Sequence, residues 1–192
     1  VAECRNGLLV RTLRDSFVPL PFDDAVEGVV FDLDDCLIDQ KAWMDDKLSI
    51  VTREWDEFAE PALVVAFERE ARRLIDEGPW DRLLDIAVRR SGVDETLVPA
   101  LIERWRAAHP ATVAPYADAQ ALVKALRREG RRIAVVTDNP AASQRQKLER
   151  LPFREALDAI VLTAELGAAK PSPLGYTAAA ADLKLSPTAM IA

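Results

Sequence analysis

The chain has 192 residues, 49% of them hydrophobic and 30% charged, with a formal net charge of −7. That is enough apolar material for a substantial core and far from the composition of a disordered tail. Acidic and basic residues are interspersed along the whole chain, which argues against a nucleic-acid partner, whose phosphates require a clustered basic face. A small phosphorylated ligand is compatible with the charge, because one local cation or metal outweighs a global excess of carboxylates. Two cysteines, Cys4 and Cys36, make no disulfide framework, so a reducing cytoplasm is the expected compartment. No apolar run approaches a membrane span and no signal peptide opens the chain, so no membrane partner is expected.

Residues 1–27, with Pro19 and Pro21, form a lead-in of mixed character. It reads either as an added strand and loop or as the tail of an upstream domain to which the chain is fused. The opening Val in place of Met marks the chain, on this reading, as a fragment. Residues 28–33 form a continuous apolar run, the pattern of a parallel strand buried on both faces. The stretch 40–115 then carries helical periodicity without strand patterning. Helices are predicted near 41–58, 61–77, 79–90 and 94–108, punctuated by Pro61, Gly78-Pro79, Gly92 and Pro110. All four tryptophans, Trp43, Trp55, Trp80 and Trp105, fall in this stretch and are expected in a helical core.

Beyond it, strands at 133–137 and 159–162 and the start of another at 190–192 alternate with amphipathic helices at about 117–129, 140–150 and 173–183. Strand alternating with helix predicts an α/β fold: a doubly wound, Rossmann-like parallel sheet with an inserted all-helical cap domain. The core is expected to comprise 28–39 and 116–192, incomplete at its C-terminus, with the cap at 40–115.

The chemistry concentrates where the first strand ends. Asp32 and Asp34 are two positions apart, so in extended backbone they share one side. Ligands of open α/β sheets bind beyond the carboxyl ends of the strands. Two carboxylates so placed repel unless a cation separates them or one holds a proton. A calcium loop is the poorer account, since Cys36 and Leu37 occupy the positions of a third ligand and the required glycine. Asp35 points the other way and reads as a turn or cap residue.

The sequence resembles the haloacid dehalogenase-like hydrolases, in particular their phosphatases with a helical cap. Three segments carry the resemblance, in the family's order: FDLDDCLI at 31–38, IAVVTDNP at 133–140 and ELGAAKPSP at 165–173. The resemblance implies that Asp32 is a nucleophile forming an aspartyl-phosphate, and that Asp34 is the acid and base. It implies that Lys170 pairs with Asp32 and the phosphoryl group, and that Thr137, Asp138 and Asn139 form the substrate-binding side. It further implies Mg2+ held by Asp32 and by the backbone carbonyl of Asp34, with a last metal carboxylate beyond Met190-Ile191-Ala192. Taken alone, Thr137 ending a strand and Lys170 before a proline are more often structural than functional. Asn139 reads equally as an N-cap of the helix that begins at Pro140. His109 is expected to cap a helix end or meet solvent.

The expected activity is therefore magnesium-dependent hydrolysis of a small phosphorylated metabolite. A phosphomutase of the same fold, or a non-catalytic phosphoacceptor module in a larger protein, are the alternatives. Asp34 argues against a dehalogenase, which has no alkoxide to protonate. A phosphonate hydrolase would need an activated Lys41 or Lys47, and neither has an activating context in the sequence.

Overall fold

The computed structural model describes residues 25–53, 55 and 60–192. The proposed lead-in therefore lies outside the described residues except for Ala25–Glu27. The described residues divide into two compact units, Gln40–Ala111 and the α/β unit formed by 25–39 and 112–192.

The α/β unit contains β1 (Gly28–Phe31), α5 (Ala117–Arg128), β2 (Arg132–Thr137), α6 (Ala141–Glu149), β3 (Ala159–Leu162), α7 (Thr163–Leu166), α8 (Leu174–Leu183) and β4 (Met190–Ile191). The four strands form one parallel sheet in the order β3-β2-β1-β4. The chain thus winds outward from β1 through β2 to β3, then returns to the other side of β1. That reversal is the topological switch point at which ligands of such sheets collect, and it places the carboxyl end of β1 at the site. Val30, Ala134, Val136, Ala159 and Val161 share a core with Ala179 and Leu183 of α8. The strand residues between them, Val29, Ile133 and Val135, are also buried and face the opposite side by alternation. Gly175 lets α8 approach the sheet closely. A Cβ there would lie 2.8 Å from Val136 Cγ1 and 3.1 Å from Thr163 Cγ2.

Residues 112–115, expected within the helical insert, belong to the α/β unit. The reason is backbone pairing. Asp39 N–H donates to Ala114 O at 2.8 Å, Tyr116 N–H donates to Leu37 O at 3.1 Å, and Ile38 bridges Pro115.

The second unit is built of helices: α1 (Gln40–Arg53), α2 (Pro61–Glu77), α3 (Leu83–Ser91) and α4 (Val98–Ala107). α3 starts later than periodicity suggested, after a turn at 81–82, and a short 3-10 turn (Glu95–Leu97) precedes α4. Its core gathers Leu48, Trp55, Phe67, Leu74, Ile75, Val88 and Leu101, with the Trp55 and Phe67 rings edge-to-face at 5.3 Å. The tryptophans divide. Trp43 and Trp55 are buried, but Trp80 is exposed with its Nε1–H on Ile75 O at 2.9 Å. An indole that can satisfy its N–H on a nearby helix end does not need the core.

Candidate active site

β1 ends at Phe31, and the next eight residues make a tight loop. Leu33 turns inward with no exposed surface, and its carbonyl accepts from both Leu37 and Ile38 N–H groups. Asp35 sits in the left-handed region (φ 54°), a conformation that Asp tolerates better than most residues, and its N–H donates to Ile38 O. With Leu33 as the anchored inward residue, Asp32 and Asp34 flank it, and each meets a different lysine.

Lys170 Nζ lies 2.6 Å from Asp32 Oδ2, and the other oxygen, Oδ1, accepts the Leu33 N–H at 2.7 Å. The same ammonium is 3.4 Å from the Val136 carbonyl. Lys147 Nζ lies 2.6 Å from Asp34 Oδ1. Asn139 Nδ2 and Gln144 Nε2 donate to the remaining oxygen, Asp34 Oδ2, at 2.5 and 2.9 Å. Asp32 keeps 42% of its side-chain surface exposed, against 11% for Asp34. The repulsion between the two carboxylates is thus met by two ammonium groups, one for each. Burial pushes the Lys147 ammonium below its ordinary value, with Asp34 pulling the other way.

Thr137, at the end of β2, is buried, and its Oγ1 accepts a hydrogen bond from Gln144 Nε2. Asp138 is turned to a supporting task. Its carboxylate accepts from Thr163 Oγ1 at 2.7 Å and from the Lys170 N–H at 3.0 Å. It therefore pins the loop that carries Lys170 and, as a carboxylate already satisfied by the protein, is not a binding group for an anion. Asn139 does not cap α6. The cap position is Pro140, with no side-chain bond, and the Asn139 amide serves Asp34 instead.

Three residues here were not anticipated: Lys147, Gln144 and Thr163. α6 was expected to be amphipathic, yet its buried residues are Gln144, Lys147 and Leu148. A helix beside the sheet whose inward positions are polar is itself the signal, since polar groups are buried only where partners await them.

Magnesium requires hard oxygen ligands and commonly takes one or two carboxylates together with substrate phosphate and water. The half-exposed Asp32 carboxylate suits it. So does the Asp34 carbonyl, which accepts no hydrogen bond among the described residues. The Asp34 side chain does not, because N–H donors hold both its oxygens. Among the described residues no group of three His, Cys, Asp or Glu side chains forms a ready-made metal cluster. None of the described helices is long and apolar enough to cross a membrane.

A parallel sheet flanked by helices, with a lysine-paired aspartate at its switch point, places the chain among α/β proteins with a ligand site at the carboxyl ends of the strands. Residues 26–192 match the family model of the haloacid dehalogenase-like hydrolases, and the chain belongs to that family. A glyceraldehyde 3-phosphate phosphatase of Methanopyrus kandleri is 27% identical over 168 residues, spanning 84% of this chain and 72% of the relative. Among solved structures, a chain of Thermotoga maritima assigned as a β-phosphoglucomutase superposes with a TM-score of 0.62 at 17% identity, covering 86% of this chain and 74% of that one. L-2-haloacid dehalogenase of Xanthobacter autotrophicus gives 0.52 at 16% identity, covering 86% and 68%. These two likenesses speak for the fold.

Proposed function

We propose that the protein is a phosphatase of small phosphorylated metabolites that works through an aspartyl-phosphate on Asp32. The observation that carries this reading is the paired arrangement of Asp32 with Lys170 and of Asp34 with its three donors. A lone carboxylate is a weak nucleophile toward a phosphate dianion, and a fixed ammonium beside it offsets the charge on approach.

In the first step an Asp32 oxygen attacks phosphorus as the bond to the ester oxygen breaks. The leaving oxygen takes the proton carried by the Asp34 carboxyl. In the second step water attacks phosphorus and gives its proton to the Asp34 carboxylate. The bond from phosphorus to the Asp32 oxygen breaks, which restores the nucleophile and releases phosphate. Thr137 Oγ donates to a phosphoryl oxygen, and Lys170 neutralises another. Mg2+, held by the Asp32 carboxylate and the Asp34 carbonyl, would supply further neutralisation of phosphoryl charge when bound. From its place in the sequence, between β1 and α5, the helical insert is read as the cap. Glyceraldehyde 3-phosphate is the first substrate to try, because the Methanopyrus kandleri relative bears that name.

The test is phosphate release from glyceraldehyde 3-phosphate and a panel of sugar and alkyl phosphates with Mg2+, for the wild type and Asp32→Asn. Release by the wild type and none by Asp32→Asn is expected. Equal release by both would overturn the nucleophile assignment.

A further inference from the structure

Gln144 is fully buried on α6 and reaches two groups at once. Its Nε2 is 2.9 Å from Asp34 Oδ2 and within hydrogen-bonding distance of Thr137 Oγ1. Asp34 Oδ2 also accepts from Asn139 Nδ2, and a carboxyl oxygen that carries no proton only accepts, so the Gln144 amide nitrogen, not its oxygen, faces it. The two hydrogens of that nitrogen then divide between Asp34 and Thr137. The Gln144 amide oxygen is left buried with no partner. A buried, half-satisfied amide is a poor choice for packing alone. Its donors are what the site uses.

Two consequences follow for the reacting groups. Thr137 Oγ1 accepts from Gln144, so its single hydrogen must point elsewhere, and among the described residues it has no acceptor. Asp34 Oδ2 is fixed from two directions by Asn139 and Gln144, while Oδ1 is fixed by Lys147. A carboxylate held at three points has a defined plane, and a proton passed to a leaving oxygen needs that direction more than it needs proximity.

We propose that Gln144 is a positioning residue: one of its amide hydrogens aims the Asp34 carboxyl at the leaving-group oxygen, while the other orients the Thr137 hydroxyl. This deepens the phosphatase reading and rests on it. The signature is dependence on the leaving group. An alkyl alkoxide must be protonated as it departs, whereas p-nitrophenolate, a far weaker base, leaves without help.

The experiment compares kcat/KM for an alkyl phosphate and for p-nitrophenyl phosphate in the wild type, Gln144→Met and Gln144→Glu. Met keeps the shape and removes the donors, and Glu keeps the shape and replaces the donor facing Asp34 by an acceptor. The expected result in both variants is a loss of about 10²-fold on the alkyl ester and less than about fivefold on the aryl ester. A loss equal on the two esters, or no loss on either, overturns the assignment. If Gln144→Met does not fold, Gln144→Glu decides by the same comparison. Wild-type protein that releases phosphate from neither ester overturns the phosphatase reading itself, an outcome distinct from any pattern among the variants.

Discussion

Lys170 Nζ stands 2.6 Å from Asp32 Oδ2, and the same residue's backbone N–H is tied to the Asp138 carboxylate at 3.0 Å. The ammonium that serves the first aspartate is therefore positioned by an aspartate at the end of the neighbouring strand, and Thr163 completes that support.

Replacing Lys170 by Met removes the cation from Asp32 while keeping a side chain of similar length. A fall in kcat/KM of about 10²–10³-fold is expected, the size seen when one preorganised charge-stabilising group is lost. Lys170→Arg, which keeps the charge but spreads it over a fork, should recover part of that loss. Steady-state kinetics on the best substrate of the panel reads both.

Thr163→Val is close to isosteric and deletes a buried hydroxyl that donates to Asp138 Oδ1 at 2.7 Å. Urea denaturation should show a loss of about 1–3 kcal/mol, because one acceptor loses its buried partner. The Lys170 loop loses part of its anchor at the same time, so kcat should fall by several-fold with a smaller change in KM. A stability loss with unchanged kcat would mean that the Asp138 link does not reach the chemistry.

Gly175→Val tests the close approach of α8 to β2. Its Cβ would press on Val136 and Thr163, both on rigid elements, where the gap is already 2.8 Å and 3.1 Å. Overpacking of this kind costs about 1–3 kcal/mol. Activity should drop along with the melting temperature, since Thr163 is one of the two groups displaced. Gly175→Ala should give the same signs at smaller size.

The Lys147 ammonium is pushed below its ordinary value of 10.5, by burial first and against the pull of Asp34, Asp35 and Asp32. The folded protein therefore releases this proton at lower pH than the unfolded chain does. Between those two values the unfolded state binds more protons, and stability rises with pH, levelling off above the ordinary lysine value. In Lys147→Met that rise should vanish. The difference in unfolding free energy between wild type and variant, followed from about pH 8 to about pH 11, should grow in favour of the wild type. A difference that stays flat or shrinks would show that the ammonium is not held in a disfavoured state.

Much of this molecule can be read from the order of its residues. The runs Val29-Val30-Phe31 and Ile133-Ala134-Val135-Val136 are continuously apolar, the pattern of parallel strands, and their spacing by helices points to the doubly wound sheet. Asp32, Asp34, Thr137 and Lys170 are legible because three segments stand in the order of the family that the sequence resembles, with Lys170 in the loop before α8. What the sequence could not settle is which polar group partners which. Asp138 beside Thr137 looks like a binding residue and proves to be a strut for Lys170. Asn139 looks like a helix cap and proves to hold Asp34. Lys147 and Gln144 carry no mark in the sequence of a helix expected to be amphipathic, and only the packing of α6 in the α/β unit turns them inward. The physical reason is the range of the interactions. Backbone periodicity is decided by neighbours a few positions apart, whereas the part-buried hydrogen bond between Asp34 and Gln144 joins positions far apart in the chain and exists only once β1, β2 and α6 are assembled.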